Sequence, residues 1–186
     1  FEMSEPDLFA KGVVALVDIG FKHSTITILK QGELVMNRVL TLGGDHLTAA
    51  LAESLGISHA EAEGIKVGMP GEVKTHLETA ISTLGRELRA SINFFEHHQD
   101  LTVSQVFISG GSAASELIVH ALQTELMVAC KTWNPVSSLQ LSLPDEQKAG
   151  LEHAAPQLAV ALGAACDYLD GLGRGDVARA ELVEFR

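Results

Sequence analysis

Asp18 closes an apolar, β-branched run over residues 13–18 and is followed one residue later by Gly20. A strand buried on both faces has no use for a carboxylate at its last position. A strand that ends at a phosphate or a metal ion does: the carboxylate holds Mg²⁺ through water, and the glycine lets the backbone approach phosphate oxygens. Ser24 and Thr25, at the start of the next apolar run, would add hydroxyl donors. The plainer alternative is a strand-end turn in which Asp18 accepts a backbone N–H.

Three other groupings could do chemistry. Gly43-Gly44-Asp45 stands where the pattern turns helical, and free N–H groups at a helix start attract an anion. Asp45 would repel that anion, and an ordinary cap by Asp45 is the alternative. Glu63 and Lys66 lie three apart on one helix face and can pair, either at the edge of a site or as a solvated surface pair. Gly110-Gly111-Ser112 ends a buried run, and ligands of α/β sheets sit at such carboxyl ends. A flat ring can lie against a backbone that carries no side chains; a tight strand-to-helix turn is the alternative.

Other look-alikes carry less. His97-His98 is an adjacent pair, and a helical metal pair needs i, i+4 spacing. Ser109-Gly110-Gly111 lacks the glycine two residues before the serine that a nucleophile elbow requires. The glycine-rich stretch at 171–175 follows no strand.

Positioning these groups takes a particular run of elements. Residues 13–18, 24–30 and 33–40 read as three strands at hairpin spacing, an antiparallel meander with Asp18 and Gly20 at its first turn. Leu47, Ala50, Leu51 and Leu55 then share a helical face that Gly56 ends. Ser58 and Glu61 form the capping box of a second short helix. After Met69-Pro70-Gly71 a long helix runs over about 72–98, with Leu77, Ile81, Leu84, Leu88, Ile92 and Phe95 as its stripe. A buried strand into Gly110, a helix, a short strand closed by Asn134-Pro135, a polar loop at 137–150 and a last helix with Pro156 near its start complete the order. Strands then alternating strand and helix predict an α/β fold with a mixed sheet flanked by helices.

The bulk composition narrows the class. Of 186 residues, 46% are hydrophobic and 20% charged, which predicts a globular domain. The net charge of −11 comes without a Lys/Arg cluster, so a nucleic-acid surface is not expected. No apolar run is long enough to span a bilayer, and the N-terminus has no signal-peptide pattern. Cys130 and Cys166 are too few for a disulfide framework or a cysteine metal site, which fits a reducing, cytoplasmic setting. The chain starts with Phe1 rather than methionine, which predicts a processed or excised piece of something longer.

In this order the motifs resemble those of the actin-like ATPases, which share a ribonuclease H-like fold. The stretch "VDIGFKHSTITIL" is similar to their second phosphate loop, "GGDHLT" to the Gly-Gly-Asp helix start, "AEGIK" to the Glu-x-x-Lys helix bordering the nucleoside, and "FISGGSA" to the adenosine motif. The short connection after "AEGIK", the "ELRASINFF" on the long helix and the "NP" after the last strand resemble the PilM family of type IV pilus assembly. The resemblance implies ATP and Mg²⁺ as ligands, Asp18 as the water-mediated Mg²⁺ ligand, and nucleotide contacts from Gly20, Ser24, Thr25, Gly43, Gly44, Asp45, Glu63, Lys66, Gly110, Gly111 and Ser112. It implies no catalytic residue here. Nothing before Val13 supplies the other phosphate loop of such ATPases, so the resemblance is to the second lobe alone.

On that resemblance, residues 1–12 are a linker or remnant, 13–170 the lobe with a reduced inserted subdomain at about 57–98, and 171–186 a flexible tail. The implied role is an ATP-binding adaptor of the inner-membrane pilus assembly complex, with PilN-like partners engaged through the full-length protein. It would be cytoplasmic and peripheral to the membrane, without direct insertion or nucleic-acid binding, and self-association is compatible with it. Lys22 and His23 stand where small hydroxyl residues are common in the family. Two alternatives remain: a fragment of another actin-like ATPase or kinase, and a structural module of the fold that has lost its nucleotide.

Overall fold

The computed structural model describes residues 1–173. Its centre is a five-stranded sheet in the order β3-β2-β1-β4-β5. β1 (Val13–Ile19), β2 (Ser24–Lys30) and β3 (Glu33–Leu40) form the expected antiparallel meander, with Asp18 opposite Thr25. β4 (Gln105–Ser109) and β5 (Cys130–Thr132) join parallel to β1, so the sheet is mixed. Alternation along β1 decides which face each residue meets. Ala15, Val17 and Ile19 point into the main core, whereas Asp18 points to the opposite face beside Ser109 of β4.

The helices are α1 (Pro6–Lys11), α2 (Gly44–Leu55), α3 (His59–Gly68), α4 (Lys74–Gln99), α5 (Glu116–Leu126), α6 (Asp145–Ala154) and α7 (Ala159–Gly173). α4 lies on the core face, and its six stripe residues are all buried together with β1, β2 and β4. Fully burying one such side chain contributes about 1.5–3 kcal/mol, so the stripe anchors the helix to the sheet. α3 opens with the expected capping box: Ser58 Oγ accepts the Glu61 N–H while Glu61 accepts the Ser58 N–H at 2.9 Å. Gly56 closes α2 in the left-handed conformation.

Three stretches are more structured, or packed more specifically, than the sequence alone indicates. Residues 1–12, expected as a linker or a remnant of a preceding segment, are docked and partly helical. Phe1 packs edge-on against Phe107 at 4.7 Å, the Trp133 indole donates to Ser4 Oγ at 2.9 Å, and Lys131 pairs with Glu5 at 2.5 Å. Aromatic burial on the second face of the sheet outweighs the segment's polar composition. Part of the polar loop at 137–150 is helical, because α6 begins directly after Pro144 on the surface, where no apolar stripe is required. Within the stretch 57–98, expected as a reduced inserted subdomain, α3 and the 3-10 turn Pro70–Val73 join α2 in a second small cluster of Leu51, Ala62 and Val73, while α4 packs into the main core. The expected tail is helical over 171–173 and otherwise, at 174–186, lies outside the described residues.

Candidate functional site

A cavity of about 550 Å³ opens at the carboxyl end of β1, between α3, the start of α5 and α6. Gly20, Gly44, Glu63, Lys66, Gly111 and Ser112 line it, so four separate segments of the chain converge there. Val67, Pro70, Leu117 and Ile118 supply apolar wall. The volume lies in the range of small-molecule sites, and apolar walls with a few convergent polar groups are their usual lining.

The β1–β2 turn forms one rim. The Gly20 N–H donates to the His23 carbonyl at 3.0 Å, which closes the turn, and Phe21, Lys22 and His23 are exposed. The start of α2 grips this turn from beneath. The Gly44 N–H donates to the Gly20 carbonyl at 2.9 Å and the Asp45 N–H to the Phe21 carbonyl at 2.8 Å; those of His46 and Leu47 turn back to Gly43. The N–H groups offered by sequence as an anion site are therefore already engaged. Gly43 makes the grip feasible, since a Cβ there would lie 2.5 Å from the Phe21 carbonyl oxygen and 2.6 Å from that of Gly20. Asp45 neither caps nor enters the cavity: its carboxylate meets His59 Nε2 at 2.9 Å and ties α2 to α3.

Glu63 and Lys66 are not a surface pair. Lys66 is 7% exposed, and its ammonium donates to Glu63 Oε2 at 2.7 Å, to Thr48 Oγ1 at 2.7 Å and to the Gly44 carbonyl at 3.1 Å. Thr48 donates in turn to Glu63. Burial pushes the Glu63 carboxyl up, but the hydrogen bonds from Lys66 and Thr48 and the Lys66 charge hold it below the usual glutamate value. The network fastens α3 to α2 and holds Glu63 at the cavity wall.

Asp18 lies behind the turn. Its Oδ1 accepts the Ser109 hydroxyl at 2.8 Å, and Thr25 is its neighbour on the other strand. Its Oδ2 would sit 3.9 Å from a Cβ on Gly20, so one carboxylate oxygen remains beside the turn. Ser24 is fully buried and donates to the Leu42 carbonyl at 2.6 Å, which takes it out of the site; it fastens the end of β3 to β2. Thr25 is half-buried and does not line the cavity. Gly110, at φ +91°, brings β4 against Ile19 of β1 and donates to the Pro156 carbonyl at 2.8 Å, leaving Gly111 to face the cavity.

The cavity also holds Ser115, Glu116, His153 and Gln157, which sequence reasoning missed. No local signal marks His153 or Gln157; folding of α6 and of the 3-10 turn Ala155–Leu158 beside the cavity brings them there. Thr48, also missed, was legible as a hydroxyl on the inward face of α2 next to Leu47 and Leu51. The Ser115 hydroxyl, at the start of α5, caps nothing and is buried without a hydrogen-bond partner.

A mixed sheet with a glycine turn at its centre, bordered by the Glu63–Lys66 helix and a Gly-Gly strand end, defines a lobe of an actin-like ATPase. The fold agrees with MreB 5 of Spiroplasma citri bound to AMPPNP, at TM-score 0.54 and 13% identity over 70% of this chain and 52% of that one. A stretch of 53 residues is 42% identical to the cell division protein FtsA of Bacillus subtilis (strain 168), 28% of this chain and 12% of FtsA. The family model described as type IV pilus assembly protein PilM matches residues 3–168, and the chain belongs to that family. A solved PilM-PilN type IV pilus biogenesis complex matches with TM-score 0.75 and 28% identity over 89% of this chain and 49% of that one. The chain thus spans about half the length of that relative.

Proposed function

We propose that this chain is the second, nucleotide-binding lobe of a PilM-like protein, which holds ATP in the cavity beside the β1–β2 turn and serves as an adaptor in type IV pilus assembly. The observation that carries this reading is the convergence of Gly20, Gly44, Glu63, Lys66, Gly111 and Ser112 on one cavity of about 550 Å³. The residues present fit a nucleotide. Gly20 and Gly111 offer bare backbone, Glu63 has a carboxylate for sugar hydroxyls, apolar walls suit a base, and Ser115 has a hydroxyl without a partner. The nucleotide analogue of the MreB 5 structure supports the same reading.

Mg²⁺ would neutralise phosphate charge. Among the described residues no group of three or more His, Cys, Asp or Glu could hold a metal ion, so these residues alone offer no cage. A single carboxylate with water and phosphate oxygens suits Mg²⁺, and the free oxygen of Asp18 beside Gly20 is that carboxylate. The chain's own groups bind and orient; none of them is assigned a catalytic role, and little ATPase activity is expected from this lobe alone.

The PilN of the PilM-PilN complex supports a PilN-like membrane partner for the full-length protein. Among the described residues no helix is long and apolar enough to cross a membrane. A cytoplasmic protein, peripheral to the inner membrane through that partner, is the consistent arrangement.

The test is equilibrium binding of Mg-ATP to the full-length protein and to an Ala114→Trp variant. Ala114 is exposed on the cavity lining, so an indole there fills the cavity without disturbing the core. Wild type should bind, and the variant should lose at least about tenfold with an unchanged melting temperature. Wild type that binds no nucleotide would instead identify a structural module of the fold.

A further inference from the structure

We propose that Lys22, at the tip of the β1–β2 turn, supplies the protein cation that answers the phosphate charge in this lobe. The assignment rests on the nucleotide reading above and identifies which group makes a tetra-anion tolerable in a chain of net charge −11. Lys66 offsets the charge of Glu63 in the cavity wall, but Glu116 also lines the cavity and Asp18 lies beside the turn, so the carboxylates there outnumber that one lysine.

The groups that sequence motifs would nominate for this task are engaged elsewhere. Lys66 lines the cavity, but its three N–H bonds go to Glu63, Thr48 and the Gly44 carbonyl. An ammonium has three donors and no more, so Lys66 has none left for phosphate. The first N–H groups of α2 are donated to the turn carbonyls and to Gly43. The same grip has a second effect, because it fixes the turn rigidly under its exposed tip.

Lys22 is exposed there and makes no hydrogen bond or ion pair in the described structure. Gly20 and Phe21, immediately before it, line the cavity. A lysine ammonium on a four-carbon stem is a mobile, hydrated point charge that can follow a phosphate tail without one fixed geometry. A side chain so placed acts on the phosphates and leaves the nucleoside end untouched.

The experiment measures equilibrium affinities of ATP, ADP and adenosine for the full-length protein, at fixed Mg²⁺ and two ionic strengths, in wild type, Lys22→Gln and Lys22→Glu. Lys22→Gln should weaken ATP about fivefold, the factor one unit charge gives at about 4 Å in water, with a smaller loss for ADP and none for adenosine. Lys22→Glu should weaken ATP further. The salt dependence of ATP binding should become shallower in Lys22→Gln, since screening has one attraction fewer to weaken. Melting temperatures should match wild type, because the side chain is exposed and holds no hydrogen bond or ion pair. ATP affinities within twofold of wild type in both variants, or equal losses for ATP and adenosine, would overturn the assignment to Lys22 alone. Wild type that binds none of the three ligands overturns the nucleotide reading and the lysine with it.

Discussion

Gly110 and Gly111 are neighbours at the end of β4, yet replacing each by alanine should have opposite consequences. Gly110 sits at φ +91° and ψ 174°, a region that only glycine occupies readily, and a non-glycine residue held there costs about 1–3 kcal/mol. An added Cβ would also land on the Ile19 carbonyl, with the carbonyl carbon at 2.6 Å and the Ile19 nitrogen at 2.8 Å. Those are backbone atoms of a central strand and cannot swing aside like a side-chain tip. Relief requires β4 to move off β1, and overpacking of this kind costs about another 1–3 kcal/mol. Gly110→Ala should therefore lose about 2–6 kcal/mol. A Cβ on Gly111 meets nothing within 4 Å and its φ is not positive, so Gly111→Ala should stay within about 0.5 kcal/mol of wild type. Because Gly111 lines the cavity, its effect should appear in nucleotide affinity instead. Urea unfolding followed by circular dichroism separates the cases. Equal stabilities of the two variants, or a Gly110→Ala loss under about 1 kcal/mol, would refute the argument that the close approach of Gly110 to Ile19 admits no Cβ.

Two further outcomes follow from packing and charge. Leu88→Ala, at a fully buried stripe position of α4, should cost about 2–5 kcal/mol in the same unfolding assay, and a loss under about 1 kcal/mol would mean the stripe does not hold the helix to the sheet. Glu63 titrates below its ordinary value of 4.5, so its contribution is present above that pH and disappears as pH falls through the lowered folded value. Glu63→Gln should accordingly be less stable than wild type at pH 7, with the gap closing below pH 4.5; a gap that persists unchanged at pH 3 would refute the ionic account of the Glu63–Lys66 network.

Much of the architecture is legible along the chain because it depends on local pattern. Alternation sets the three strands of the meander, the four-three spacing of Leu77 to Phe95 sets the inward face of α4, and Ser58 with Glu61 starts α3. Each signal lies within a few residues of what it specifies. The site was legible only as candidates. The pattern puts Asp18 and Gly20 at a strand-end turn, and alternation along β1 sends the Asp18 side chain to the face away from α4, beside Ser109.

By itself, then, the sequence determined the meander, most of the helices, the family pattern and a first set of residues from which a site could be built. Only the tertiary structure decided which of them are in it. The Gly43-Gly44 start of α2 looked free for an anion until folding gave its N–H groups the carbonyls of Gly20 and Phe21. Ser24 looked like a donor until the end of β3 brought it the Leu42 carbonyl. Lys66 could be read from sequence as a site-edge residue or as half of a surface pair until α2 placed Thr48 and the Gly44 carbonyl around it. His153 and Gln157 reach the cavity from over a hundred positions beyond Gly20. The physical reason is common to all four: a polar group's availability depends on the partners that burial supplies, and those partners come from parts of the chain that local pattern does not connect.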